Sequence, residues 1–454
     1  MGILVSNARF ILTLDTQRRV LRDSSIYIQD GKIVKVGKHE EVKRDYPNAD
    51  TIIDASDSVV TPGLINCHGH SNSRLGRGLG DNMFLTNWAN KRILPFSAQV
   101  GPEEAYLSTF TYALDCLKTG TTCMAEYGGG HMDQVLNAFE EIGIRAVVAT
   151  PTVGYWAKGG TASPEYLDML KKFVNEVKGR SSGRIYPSVS LPMSVGAAGW
   201  RMTKEFADEN NMLIQTHISG SQDIINNFKE AHGKTHELEF LEECKAIGSN
   251  LVGVHANWVS DVEIDLIIKH NVKIVHCPTA SATTALGQLH TGSLLKMLNK
   301  GIPVALASDG AANSNFLDMI RVAYMLIAHR DKNIDATLFP PEELLEMITR
   351  NGARALLLDD VIGSIEEGKA ADLTLFDTKR HEWMPMHYPV SNLMLSASGA
   401  TAKTVLVDGK VVVENGTLKT ADEAEILVRA EKAAFDMAER AGLKKSIRSK
   451  WPIS

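Results

Sequence analysis

No run of about 18 apolar residues occurs in the chain, so no stretch reads as a membrane-spanning helix. Lysine and arginine never gather into a basic block, and a net charge of -6 argues against a nucleic-acid or anionic-membrane partner. Cysteine is scarce. Cys67, Cys116, Cys123, Cys244 and Cys277 form an odd set without C-x-x-C spacing. That excludes a disulfide framework or a cysteine zinc site and suits free thiols in a reducing cytoplasm. The N-terminal MGILVSNARFILTLD lacks the basic start and cleavage site of a signal peptide, so a cytoplasmic location is expected. MGILVS fits a loose myristoylation pattern, but strand-forming residues follow at once. No G-x-G-x-x-G follows a strand-like run, which leaves a dinucleotide fold without support.

What is present is a chain of 454 residues, 44% hydrophobic and 22% charged, enough for one large catalytic domain and a smaller one. Its two ends read alike. SSIYIQDGKIVKVGKHE and AKTVLVDGKVVVENGTL each join two alternating apolar runs at Asp-Gly, a β-hairpin signal. Residues 1–59 and 361–425 are therefore read as one small β-sandwich domain, and 426–454 as a closing helix and tail. Between them, residues 60–360 alternate short apolar runs with amphipathic segments. The runs are VVTPGLINCHGH, TTCMAEYG, IRAVVATPT, RIYPSVSLP, MLIQTHIS, LVGVHAN, VKIVHCP and PVALASDG. Near-continuous apolar strands separated by helices predict a parallel sheet covered on both faces. Eight such units predict an α/β fold closed as a (β/α)8 TIM barrel, with an open doubly wound sheet as the alternative.

Several runs end in residues that can do chemistry: His68 and His70, Glu126, His217, His255, His276 and Asp309. In a barrel these ends share one rim, where active sites are built. Singly, each has a plain reading as a hydrogen-bonded strand end or a turn former. Together they make a constellation. His68 and His70 stand two apart on a strand and so share a face. With His217 and Asp309 they supply three neutral nitrogens and one carboxylate, a set suited to zinc, iron, cobalt or manganese. Three histidines and a carboxylate leave room for a bound water, which favours a catalytic over a structural ion. Cys67 adjoins the pair, but strand alternation turns its thiol away.

The segments PGLINCHGH, LIQTHIS, LVGVHAN, VKIVHCPT and VALASDGAANSNFLDM, taken in order, resemble the signature segments of the amidohydrolase superfamily. The likeness is to the branch of S-adenosylhomocysteine, cytosine and guanine deaminases and s-triazine hydrolases. RGLGDNMFLTNWANKRILPF and GSIEEGKAADLTLFD are similar to that branch too. The resemblance implies that His68, His70, His217 and Asp309 bind one metal, with Asp309 also taking a proton from water. It implies that His255 orients the water or polarises the substrate and that His276 lies near the substrate. Binuclear members carry a lysine at the end of the fourth strand. RIYPSVSLP has none, so one divalent ion is expected, with zinc first.

The chain departs from the branch in one place. Its ring deaminases carry H-x-x-E after the fifth strand, where the glutamate protonates the ring; here the segment is His217-Ile218-Ser219-Gly220. A positioned general acid is worth about 10²- to 10⁴-fold, so its loss disfavours ordinary ring deamination. Amide, urea or carbamate hydrolysis asks less, because Asp309 can serve as base and then as acid. Deamination would need a donor such as Asp223, Glu126 or Ser219. Asn82, Trp88, Glu126, Ser219 and His276 are the expected substrate contacts. Trp258 could form an apolar wall, and YGGGH, residues 127–131, either a substrate loop or a glycine turn entering a helix. A small-molecule substrate and a homodimer or larger homo-oligomer are expected. A catalytically silent barrel scaffold is the reading from another class, disfavoured because every metal position is kept.

Overall fold

The structure, a computed structural model, describes residues 1–150, 165–180 and 182–443. All eight apolar runs form parallel strands: Leu64–Gly69, Thr121–Glu126, Arg145–Ala149, Ile185–Ser190, Leu213–Ile218, Leu251–His255, Lys273–His276 and Val304–Leu306. The first, second, third, sixth and eighth are buried at every residue, as strands covered on both faces must be. Each strand pairs with its sequence neighbour from the first to the eighth. Side chains close the seam between those two. Asn66 accepts from the Ser308 amide at 3.0 Å and donates to its hydroxyl at 2.7 Å. The Asp309 amide donates to the His68 carbonyl at 3.2 Å, so the last strand's catalytic candidate is pinned beside the first strand's.

Helices between strands present apolar faces to this sheet. Pro102–Lys118 starts at a proline, has Glu104 reaching back to the Gly101 amide at 3.1 Å, and buries Leu107, Phe110, Leu114 and Leu117. The segment read as 426–454 forms a helix over Glu423–Arg440; residues 444–454 lie outside the described residues. So do the last residues of IRAVVATPT, whose strand ends at Ala149. No described helix is long and apolar enough to cross a membrane.

Both ends of the chain build one mixed nine-stranded sheet, in which the strand Ser58–Pro62 lies between Gly2–Leu12 and Leu373–Asp377. Its two Asp-Gly turns have both residues left-handed, Asp30 and Gly31 at φ 49° and 82°, Asp408 and Gly409 at 52° and 70°. The turns pack on each other, and a methyl on Gly31 would come 2.9 Å from the Asp408 carbonyl oxygen. An ion pair ties this sheet to the barrel. Arg145, on the third barrel strand, makes two 2.9 Å bonds to Asp372, and both side chains are only 2% exposed.

Candidate active site

The strand ends of the barrel bring four predicted ligands to one point. His68 Nε2 lies 3.1 Å from His70 Nε2 and 3.2 Å from His217 Nε2. Asp309 Oδ1 is 3.5 Å from the first and 3.4 Å from the second. The pairing register between the first two strands shifts between Asn66 and Gly69, so simple alternation does not run through the histidine pair; their Nε2 atoms meet all the same. Donors about 2.1 Å from a shared ion at tetrahedral angles stand about 3.4 Å apart. The three histidine nitrogens cluster at that spacing, and Asp309 Oδ1 stands at it from His68 and His70, so these residues fit a metal.

Electrostatics agree with the fit. Burial drives the His68 imidazole down to about 4 and holds His217 well below its ordinary range. Burial opposes ionisation of Asp309, but hydrogen bonding to His68 and the surrounding imidazoles outweigh it and hold the carboxyl well below its usual value. A neutral His68 and His217 beside an ionised Asp309 are protonation states a metal demands.

His255 stacks on His217, ring centroids 5.3 Å apart and planes 19° off parallel, and burial lowers it too. His276 is buried next to it. Its Nδ1 lies 3.1 Å from the His255 carbonyl, and its Nε2 has no partner among the described residues. Trp88 and Asn82 line a cavity of about 410 Å3 together with Thr283, Thr284, Asn313 and Asn315. Trp88 is fixed there by donating to the Ala312 carbonyl at 3.1 Å. Neither this cavity nor a larger groove of about 600 Å3 on the flank against the closing helix is lined by the converging residues; Asn313, bonded to Asp309, links the smaller one to them.

Two expected substrate contacts are engaged elsewhere. Both Glu126 oxygens accept backbone amides, from Ser71 at 2.8 Å and Gly128 at 3.0 Å, so Glu126 braces the loops around the site. Ser219 directs its amide and hydroxyl to Glu237. Trp258 donates to the Leu286 carbonyl at 2.7 Å. Sequence reasoning missed three residues. Tyr127 packs its ring 4.3 Å from His217 and 5.3 Å from His68 and His70; the sequence offers the 127–131 stretch as a loop without singling out its tyrosine. Asn313 donates to Asp309 Oδ2 at 3.0 Å. Glu237 carries no sequence signal, being one acidic residue among several in its helix.

Fold and donor cluster together are those of a barrel hydrolase. The model of the amidohydrolase family matches residues 59–412. The 5'-deoxyadenosine deaminase of Methanosarcina acetivorans is 32% identical over 445 residues, spanning 97% of this chain and 99% of that protein. The 5-methylthioadenosine/S-adenosylhomocysteine deaminase of Thermococcus sibiricus is 33% identical, spanning 91% and 94%. A zinc-bound adenosine deaminase from Xanthomonas campestris has a TM-score of 0.89 at 25% identity, covering 96% and 98%. Atrazine chlorohydrolase TrzN from Arthrobacter aurescens, also crystallised with zinc, has a TM-score of 0.84 at 23% identity, covering 95% and 100%, and shares the fold. The chain belongs to the amidohydrolase family. It is a hydrolase of the class that acts on carbon–nitrogen bonds other than peptide bonds.

Proposed function

We propose that this chain is a single-metal hydrolase that cleaves an amide-, urea- or carbamate-type C–N bond in a small polar molecule. His68, His70, His217 and Asp309 would hold the ion, zinc by preference, with iron, cobalt and manganese compatible with the same donors. When bound, a divalent ion there acidifies water and polarises a carbonyl. The chain's own residues supply the rest. Asp309 accepts a proton as the water oxygen bonds to the carbonyl carbon. It returns that proton to the nitrogen as the C–N bond breaks. An amine leaves together with a carboxylic acid from an amide, a carbamic acid from a urea, or a carbonic acid half-ester from a carbamate, and the last two lose carbon dioxide. His255 faces the cluster and bears on the carbonyl oxygen, where negative charge grows.

The observation that carries the bond type is Gly220. Ring deamination needs a proton delivered to a ring nitrogen, and the three substitutes for a glutamate there are poorly placed. Glu126 has both oxygens bound, Ser219 points to Glu237, and Asp223 is exposed, 3.5 Å from the Thr86 hydroxyl. Asp309 suffices for an amide-type bond.

A second reading, deamination of an adenine nucleoside, is favoured by the names of the curated relatives. The amide- and hydroxyl-lined cavity beside Asn313 suits the hydroxyls of a sugar as well as a neutral polar substituent. One experiment separates the two. Zinc-loaded protein is offered 5'-deoxyadenosine, aryl ureas and carbamates, with ammonia release and product masses followed. A substituted amine with carbon dioxide supports the proposal; ammonia with an inosine-type product supports the second reading. A homodimer or larger assembly belongs to the same proposal, and light scattering tests it.

A further inference from the structure

Two turns face each other at the barrel mouth, one after the fifth strand and one after the sixth. Three non-glycine residues in them are left-handed: Ser219 at φ 43°, His255 at 75° and Ala256 at 49°. Such conformations persist only where the surroundings over-determine them. Here a ladder of hydrogen bonds does so. The Ala256 amide donates to the Ile218 carbonyl at 3.1 Å and the Trp258 amide to the Ser219 carbonyl at 2.9 Å. Asn257 Nδ2 donates to the Gly220 carbonyl at 3.0 Å and to the Ser281 hydroxyl at 2.9 Å.

The ladder has a consequence for His255. Its ring stacks on the His217 imidazole and has the bare α-carbon of Gly220 close beside its Cδ2 edge. A methyl at Gly220 would stand 3.3 Å from His255 Cδ2. The turn carrying Gly220 therefore sets where the His255 imidazole can lie.

One carboxylate anchors that turn from behind. Glu237 is fully buried at the start of the helix Glu237–Glu243. Its Oε2 accepts the Ser219 amide at 2.5 Å and the Ser219 hydroxyl at 3.2 Å, while Oε1 has no partner among the described residues. A buried carboxyl is costly unless its hydrogen bonds serve a purpose. Nearby Glu263 accepts the Ser260 amide and hydroxyl at its own helix start and, through its other oxygen, the Leu238 amide at 3.3 Å; among the described residues it makes no bond to Ser219.

We propose that Glu237 is a positioning residue of the active site: by gripping left-handed Ser219 it holds the turn that seats Gly220 on the His255 ring and fixes the direction of that imidazole. The chain thus lacks a carboxylate in front of the turn, at position 220, and carries one behind it. The catalytic meaning of this clamp rests on the role proposed above for His255; the clamp itself is testable without turnover.

The test is hydrogen–deuterium exchange, read by mass spectrometry on the zinc-loaded full-length chain, for fragments covering 213–221 and 251–260. In E237A both fragments exchange at least about tenfold faster, because the Ser219 amide loses its acceptor and the facing turn loosens with it. In E237Q the side-chain carbonyl still accepts that amide, and exchange stays within about twofold of the original protein. E237D, one methylene short, behaves as E237A does and serves if E237A does not fold. Unchanged exchange at 251–260 in E237A and E237D would overturn the proposal, because Glu237 would not reach His255. So would E237Q exchanging as fast as E237A. Zinc content of the same samples reports separately on the metal reading: no zinc in any of them would sink that reading while the exchange data still judged the clamp.

Discussion

Asn313 donates through Nδ2 to Asp309 Oδ2 at 3.0 Å, and the Gly310 amide donates to Oδ1 at 2.8 Å. Together they fix the plane of the carboxylate that faces His68 and His70. Outer partners of this kind typically matter by about 10- to 100-fold. N313A should therefore lower kcat/KM by about that factor with the fold intact, measured on whichever substrate the panel identifies. D309N should abolish turnover, since a neutral amide can neither take nor return the proton. Activity surviving in D309N would refute the assigned mechanism.

The space at Gly220 is the next point of attack. A methyl there meets His255 at 3.3 Å and Ile224 Cδ1 at 3.2 Å, contacts a few tenths of an ångström too tight. G220A should displace the His255 ring and cut kcat about tenfold or more, while stability falls by about 1–3 kcal/mol and the fold is kept. Calorimetry and steady-state kinetics on one preparation check both halves.

Burial lifts the Glu237 carboxyl to about 7, with the Glu263 carboxylate adding to the rise against the Ser219 hydrogen bonds. An unfolded glutamate titrates near 4.3. Between these values the folded chain binds the extra proton, so this residue's contribution to stability is full below about pH 4.3 and is lost as pH rises through about 7. The span corresponds to about 4 kcal/mol. Across it the melting temperature of the original chain should fall relative to that of E237Q, and the two pH profiles should run parallel above about pH 8. Parallel profiles throughout would place the Glu237 pKa at its ordinary value.

Asp372 supports the assembly of the two sheets. It is the bidentate partner of buried Arg145 and accepts the Asp408 amide at 2.8 Å. Removing one member of a buried pair typically costs about 3–5 kcal/mol, and the second carboxylate near Arg145, Asp408 at 3.5 Å, is the one that remains. D372A should lose that much stability in denaturant titration; a loss below about 1 kcal/mol would show that water replaces the carboxylate freely.

Much of this molecule is legible in its sequence because strands buried on both faces must be apolar throughout and must stop where polar chemistry begins. The eight runs and their endings His70, His217, His255, His276 and Asp309 follow from that rule. So do the hairpins at Asp30–Gly31 and Asp408–Gly409, since only such residues accept two left-handed positions cheaply. Loops and side-chain contacts obey no such period. Tyr127 enters the site because the second strand ends beside His68, and Asn313 because a short helix turns it back onto Asp309. Glu237 belongs to a helix whose pattern is indistinguishable from a solvated acidic face. Glu126 shows the converse: a strand-end carboxylate that looks chemical spends both oxygens on the backbone.

The most direct test of the account is metal stoichiometry by inductively coupled plasma mass spectrometry, on the purified chain and on H217A. The convergence of His68, His70, His217 and Asp309 predicts about one divalent ion per chain in the former and its loss in the latter. Full turnover from a chain holding no ion, before and after chelation, would contradict it.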